Sequence, residues 1–209
     1  MQSGKHWDGR YEKAPPDQVS WYAPHLDRSL AMIRDVADPS DSIIDVGAGA
    51  STLVDDLVAL GYSKISVLDC SSRALEISMK RLAGQAVGIT WMTADVTQAV
   101  LPADEYDVWH DRAAFHFLTE PADRAAYARV ASRSVKQGGH LIVAAFSREG
   151  PSRCAGLDVV RYDGDALGRE LGPGWQLEQE LQESHITPAR IEQSWVYCLF
   201  QKVPHVGHP

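Results

Sequence analysis

The apolar positions of this chain alternate between two periods, one helical and one strand-like. Leu26, Leu30, Ile33 and Ala37 recur at helical spacing in HLDRSLAMIRDVA, between Pro24 and the stop at Asp38-Pro39. Ser42–Val46 is a continuous β-branched run without helical period, which predicts a buried strand. Leu53, Leu57 and Leu60 line a second helix that starts at about Ser51 and is stopped by Gly61, with Asp55 and Asp56 on its solvated face. Lys64–Leu68 predicts a strand that runs into Asp69. Leu75, Met79 and Leu82 predict a helix, capped by Ser71 or Ser72 and ended by Gly84. Ile89–Thr93 and Tyr106–His110 read as further strands. Thr119 is a candidate N-cap, Pro121 fits a first turn, and the helix runs to about Lys136 with Tyr127, Val130 or Ala131, and Val135 inward. Gln137-Gly138-Gly139 ends it, and His140–Phe146 is a strongly apolar strand. Asp165–Leu171 is a short helix stopped by Gly172-Pro173-Gly174. Trp175–Thr187 and Trp195–Val203, separated by Pro188 and charged residues, form a hairpin that closes the sheet.

Strand, helix, strand at these intervals is a βαβ unit, whose crossover is right-handed and whose strands are parallel. The expected class is α/β, a doubly wound Rossmann-like sheet with helices on both faces. A chain of 209 residues suits one such domain, over 25–203, with an N-terminal segment 1–24 and a frayed tail 204–209. Residues 1–24 hold His6, Trp7, Tyr11, Trp21 and Tyr22, divided by Pro15 and Pro16. Two readings stand: these aromatics complete the core at the sheet edge, or they form a lid that excludes water from a ligand.

Charge and cysteines narrow the setting. The net charge of −8 lacks the excess of basic residues that a general nucleic-acid surface needs. No apolar run approaches the roughly 20 residues of a membrane span, and MQSGKHWDGRYEK has no signal-peptide core. Cys70, Cys154 and Cys198 are scattered, with neither a disulfide framework nor metal-ligand spacing. The expectation is a cytoplasmic protein with reduced thiols, no metal, no membrane and no nucleic-acid partner.

The candidate chemistry centres on SIIDVGAGAST. A strand that enters a glycine turn and opens a helix lets backbone approach a ligand and points unpaired helix N–H groups toward it. Gly47, Ala48, Gly49, Ala50, Ser51 and Thr52 form this turn. The spacing is G-x-G-x-x-T, so Thr52 stands where a dinucleotide fingerprint has its third glycine. Asp45, two residues before Gly47, is unfavourable beside a pyrophosphate but suits an ammonium and a sulfonium. The ligand expected is therefore S-adenosylmethionine rather than NAD. Asp69, with Cys70 and Ser71 after it, ends the next strand where an acid can take both ribose hydroxyls. Asp95 can accept from an adenine amino group while the N–H of Val96 serves a ring nitrogen. Asp45, Asp69 and Asp95 end successive strands and so share one rim of a parallel sheet.

The densest polar-aromatic cluster, His110 to Phe117, falls at the same rim. His110 or His116 can act as general base, Asp111 can orient a histidine or an acceptor's proton, and Arg112 can hold an anion. The alternatives are a structural Asp111–Arg112 pair and an ordinary half-buried His116. Trp21 and Tyr22 are expected to cover the site. The loop SREGPSRCAGLDVVRYD, with Arg148, Arg153 and Arg161, and His185 are further rim candidates.

DVGAGAST, VLDCS, ADVT and QGGHLIVAAF together, in this order, resemble the successive motifs of class I S-adenosylmethionine-dependent methyltransferases, over most of residues 26–203. The resemblance implies a seven-stranded sheet in the order 3-2-1-4-5-7-6 with strand 7 antiparallel. It also implies that Asp45 to Ala50 wrap the methionine part of the cofactor, Asp69 holds the ribose, Asp95 and Val96 hold adenine, and His110 sits by the transferred methyl. YDVWHDRAAFHFL is similar to the D-R-A/G-A segment of thiopurine and small-thiol methyltransferases. It is similar too to the D-K-G segment of elongation-factor-type lysine methyltransferases. It departs from the first group in the glycine loop and from the second at Arg112-Ala113. No asparagine-proline-proline-tyrosine motif follows the fourth strand, which argues against amide or nucleic-acid base methylation. The expected function is methyl transfer to an O, N or S atom of a small-molecule acceptor. A protein lysine methyltransferase, a non-catalytic cofactor-binding module and an NAD-binding oxidoreductase are the alternatives.

Overall fold

The strand-like runs assemble into one seven-stranded sheet; the computed structural model describes residues 4–86 and 88–204. The strands are β1 (Ser42–Val46), β2 (Lys64–Asp69), β3 (Thr90–Thr93), β4 (Tyr106–Arg112), β5 (Val135–Phe146), β6 (Trp175–Ile186) and β7 (Glu192–Lys202). They lie in the order β3-β2-β1-β4-β5-β7-β6. β1 to β5 are mutually parallel, and β7 runs antiparallel to both β5 and β6. This is the order the resemblance implies. A separate two-stranded ribbon pairs Arg153–Cys154 with Leu157–Asp158. Chain direction across the sheet reverses between β1 and β4, and the carboxyl ends of those strands form the crevice where open α/β sheets bind ligands.

The helices are α1 (Gly4–Lys13), α2 (Asp27–Val36), α3 (Leu53–Ala59), α4 (Ser72–Leu82), α5 (Pro121–Ser134) and α6 (Gly164–Leu171). The pleat sorts each strand's side chains between two apolar layers. Ile43, Val67, Val108 and Ile142 pack with Ile33 of α2, Leu57 of α3 and Leu75 of α4. Ile44, Leu68, Trp109 and Leu141 pack on the other face with Tyr127 of α5 and Leu167 of α6. β1 is buried along its whole length, as a central strand covered on both faces must be. No helix among the described residues is long and apolar enough to cross a membrane.

Element ends depart from the sequence reading at several places, most tellingly around α4 and α5. Glu120, not Thr119, is the N-cap of α5 and makes no side-chain cap bond, whereas Pro121 does open the helix. The helix ends at Ser134 because Val135 already pairs with Tyr106, and a bulge precedes the pairing of Val108 with His140. Gly139 sits in that bulge so close to β4 that a Cβ would lie 2.9 Å from the Asp107 carbonyl oxygen. Ser71 caps α4 by accepting from the Ala74 N–H at 3.1 Å. The helix stops at Leu82, and Gly84 lies within a following 3-10 turn, Ala83–Ala86. The N-terminal segment forms α1 and a 3-10 turn, Pro16–Gln18. The frayed tail expected over 204–209 lies, apart from Pro204, outside the described residues.

Candidate functional site

A cavity opens at the carboxyl ends of β1, β2 and β4, roofed by the N-terminal segment. Its floor is the turn after β1. Gly47 and Gly49 have φ of 65° and 57°, the left-handed region that glycine enters without cost. Space requires them as well. A Cβ on Gly47 would sit 2.3 Å from the Ala114 Cβ, and one on Gly49 would sit 2.3 Å from the Tyr11 hydroxyl. The amides of Gly47 to Ser51 are occupied within the chain. Gly47 and Ala48 N–H donate to the Leu68 carbonyl, and Ser51 N–H to the Ala48 carbonyl. Gly49 N–H donates to Asp69 Oδ2 at 2.7 Å, Ala50 N–H to the Tyr11 hydroxyl at 3.3 Å, and Leu53 N–H to Ser51 Oγ at 3.0 Å. The expectation of unpaired N–H groups facing a ligand does not hold for these residues. An anion cradle of the pyrophosphate type needs such donors.

Carboxylates take their place. Asp45 is buried, and its Oδ1 lies 2.7 Å from His110 Nδ1. His110 Nε2 in turn lies 2.8 Å from Ser29 Oγ, so both ring nitrogens are engaged in a Ser29–His110–Asp45 relay. Asp45 and His110 are direct register partners across β1 and β4, which is why the pair forms. Asp69 is held by Gly49 N–H on one oxygen and by Ser71 N–H, at 2.7 Å, on the other. Burial nevertheless pushes its carboxyl up to about 6, with the two N–H donors acting against the rise. Burial also pushes the neighbouring Cys70 thiol up to about 12, helped by the charges of Asp69 and Asp95. The cavity therefore presents two buried acids and no unpaired turn amide among those named, a donor set that fits a cationic adenosyl ligand better than a diphosphate.

The pleat divides the cluster at the end of β4. His110 and Arg112, two residues apart, line the cavity. Asp111 points to the opposite layer and accepts from Ala114 N–H at 2.9 Å, Phe115 N–H at 3.1 Å and the Tyr127 hydroxyl at 2.9 Å. Its carboxyl is pushed up to about 6 by burial. These bonds fix the turn in which Ala113 takes a φ of 72° and Ala114 meets Gly47. His116 is fully buried among Phe117, Phe146 and Trp195. Burial, with the Arg112 charge nearby, lowers its pKa to about 3, so the ring is neutral at physiological pH. Neither Asp111 nor His116 lines the cavity. Asp111 and Arg112 do not pair: Arg112 Nε donates to the Tyr197 hydroxyl at 2.9 Å and Nη1 to the Trp21 carbonyl at 2.8 Å.

The roof comes from the aromatic N-terminus. Trp7 meets Trp21 and Phe117 edge to face, with centroids 5.9 and 4.8 Å apart, and Tyr11 meets Trp21 at 6.4 Å. Asp8 anchors α1 by accepting from Ser71 Oγ at 2.7 Å and from Arg73 N–H at 3.2 Å. Thr52 Oγ1 donates to the Pro24 carbonyl at 2.9 Å, tying the other end of the roof to the glycine turn.

Of the cofactor-side candidates, Trp21, Asp45, Gly47 to Ser51, Asp69, Cys70, Val96 and His110 share the cavity wall. Thr52, Ser71 and Asp95 do not line it; Thr52 bonds to the Pro24 carbonyl and Ser71 N–H to the wall residue Asp69. Asp95 Oδ1 is occupied by the N–H and hydroxyl of Thr97. Arg148, Arg153 and Arg161 bond to Asp163, Asp158 and the carbonyls of Arg148 and Gly150, away from the cavity. His185 Nε2 meets the Ser20 carbonyl. Sequence reasoning missed Ser29 and the Tyr11 contact. Ser29 carried a readable signal, because it stands on the apolar stripe Leu26–Leu30–Ile33 where a lone polar residue needs a partner. Among the described residues no group of three or more side chains could hold a metal.

Comparison with known proteins agrees with this geometry. A family profile described as a methyltransferase domain matches residues 43–139. The chain is 21% identical over 150 residues to the eEF1A lysine and N-terminal methyltransferase of Danio rerio, covering 70% of this chain and 22% of that protein. The chain thus spans about a fifth of the length of that curated relative. Among solved structures, one describing conversion of a disulfide bond into a thioacetal group during echinomycin biosynthesis superposes with a TM-score of 0.75 at 18% identity, covering 96% of this chain and 93% of that one. The 1,6-didemethyltoxoflavin-N1-methyltransferase of Burkholderia thailandensis, with bound 1,6-didemethyltoxoflavin and S-adenosylhomocysteine, superposes with a TM-score of 0.68 at 13% identity, covering 96% and 84%. At these identities the structural likeness is one of fold.

Proposed function

We propose that this member of the class I S-adenosylmethionine-dependent methyltransferase superfamily transfers a methyl group to an O, N or S atom of a small-molecule acceptor. The observation that carries the acceptor class is the roof. Trp7, Tyr11, Trp21 and Tyr22 wall the cavity, and Asp8 and Thr52 fasten the roof to both sides of the cofactor half. An acceptor must fit beneath that roof, which suits a small molecule better than a lysine on a protein surface. In this reading residues 1–24 are a lid over a methyltransferase domain of residues 25–203.

S-adenosylmethionine, when bound, supplies a sulfonium-activated methyl; an acceptor lone pair takes the methyl carbon while the carbon–sulfur pair returns to sulfur. The chain's own residues position and dehydrate. Asp45 and the turn Gly47–Ala50 would hold the methionine end, Asp69 with Cys70 and Ser71 the ribose, and Val96 with Asp95 the adenine. His110 acts here as a positioning group, because Asp45 and Ser29 hold both its nitrogens. Such reactions gain mostly from alignment and exclusion of water, and need a base only when the acceptor enters protonated. The unpaired state of Cys70, Cys154 and Cys198 supports a reducing, cytoplasmic setting.

The name of the curated relative favours a second reading, methylation of a protein lysine or N-terminus. Incubating the protein with tritiated S-adenosylmethionine and a whole lysate separates the two. Label is expected in the small-molecule fraction; label confined to protein would select the second reading.

A further inference from the structure

A buried cation lines the cavity without a counter-ion. Arg112 is only 9% exposed. Its guanidinium lies 4.4 Å from the centroid of the Trp195 ring, with Nε bonded to the Tyr197 hydroxyl and Nη1 to the Trp21 carbonyl. These partners fix its plane, and none is charged. No carboxylate pairs with it among the described residues. The acid nearest through this network, Glu183, is reached across the Tyr197 hydroxyl at 3.3 Å and is already paired with Arg28 at 3.4 Å. Of the five N–H donors of a guanidinium, Nε and one on Nη1 are used. Nη2 donates to no described residue. A charge so placed is costly unless an anion meets it.

A second cation, Arg10, is carried by α1 in the roof segment. Arg10 Nε is buried without a hydrogen-bond partner. The charges of both Arg10 and Arg112 act on the Cys154 thiol. The cavity is thus polarised. Its acids, Asp45 and Asp69, sit at the glycine turn on the β1–β2 side, and its cation sits beyond β4, against Trp195 and Tyr197 of β7. Trp7, Trp21, Tyr22 and Phe117 form apolar wall around the space that holds them.

We infer that Arg112 is the recognition group for an anionic methyl acceptor, a flat apolar body carrying a carboxylate. The inference rests on the methyl-transfer reading of the same cavity. The planar fork of Arg112 would take the carboxylate by two N–H donors while the aromatic walls take the body.

The test titrates protein loaded with S-adenosylhomocysteine with matched pairs, the free acid and the primary amide of benzoic, phenylacetic and indole-3-acetic acids. At least one acid is expected to bind about tenfold or more tighter than its amide. That preference is expected to vanish in Arg112→Met and to return in part in Arg112→Lys. No acid preference in any wild-type pair overturns the inference, and this comparison needs no variant to fold. Loss of S-adenosylhomocysteine affinity in Arg112→Met, with binding of 5′-methylthioadenosine intact, assigns the guanidinium to the cofactor's own carboxylate and also overturns it. Failure of folded wild-type protein to bind S-adenosylhomocysteine at all defeats the methyltransferase reading instead.

Discussion

Asp69 ties the electrostatics of single residues to cofactor binding. Its carboxyl is raised from 3.8 to about 6 by burial. A carboxyl raised in the folded state stabilises the fold fully below pH 3.8, and that stabilisation is lost as pH rises through about 6. Ribose hydroxyls bind the ionised form more strongly, so cofactor affinity runs the opposite way. Affinity for S-adenosylhomocysteine is expected to rise by about tenfold from pH 5 to pH 7, following the ionised fraction of a carboxyl that titrates at about 6. In Asp69→Asn it is expected to be weaker at pH 7 and flat across the range. Calorimetry at several pH values decides this, and a flat wild-type profile would remove Asp69 from the contact. Residue identity made Asp45 and Asp69 legible in the sequence, since each ends an apolar strand next to a turn. It did not resolve the cluster His110 to Phe117. That run is dense in polar side chains, and only the fold tells which of them can meet a ligand: the pleat of β4 turns Asp111 to the layer opposite His110 and Arg112, and the 3-10 turn Phe115–Phe117 buries His116 among Phe117, Phe146 and Trp195.

At the scale of elements, the sequence read best where packing is periodic and worst where it is not. β1, β2 and the capped start of α4 follow from apolar runs and a serine at the right place. The bulge between β4 and β5 did not, because Gly138-Gly139 signals a break without saying that a strand has already begun. α1 was also hidden. Gly4–Lys13 has only Trp7 and Tyr11 as apolar anchors, four residues apart, and a helix this short depends on tertiary contacts. Asp8 supplies one, by bonding to the start of α4. Asp8→Ala is expected to cost about 1–2 kcal/mol in the docking of α1, as loss of a helix cap does, while leaving the sheet intact. Hydrogen exchange should quicken in residues 4–13, and S-adenosylhomocysteine should dissociate faster. Unchanged exchange in α1 with an unchanged dissociation rate would mean that α1 is not a lid.

At the scale of the molecule, the sheet order places both halves of the site at one crevice, so cofactor binding should be felt by the whole fold. A ligand bound only by the folded state stabilises it by about 2.7 kcal/mol at a hundredfold excess over Kd. For a chain of 209 residues that corresponds to a rise in melting temperature of roughly 5–10 °C. The rise is expected with S-adenosylmethionine and with S-adenosylhomocysteine. It is not expected with NAD, whose diphosphate would face two buried acids over a turn whose amides from Gly47 to Ser51 are already bonded within the chain. The experiment also separates the two ways in which a strand–glycine–helix unit can be used. The alternation of strands and helices in the sequence announces such a unit, but it does not tell whether the turn amides are open or filled. That depends on Tyr11 and Asp69 reaching back to Ala50 and Gly49 from distant parts of the chain. Stabilisation by NAD equal to that by S-adenosylmethionine would show that those internal bonds yield to a phosphate. The turn would then be an anion site in solution, and the case built on its filled amides would fall.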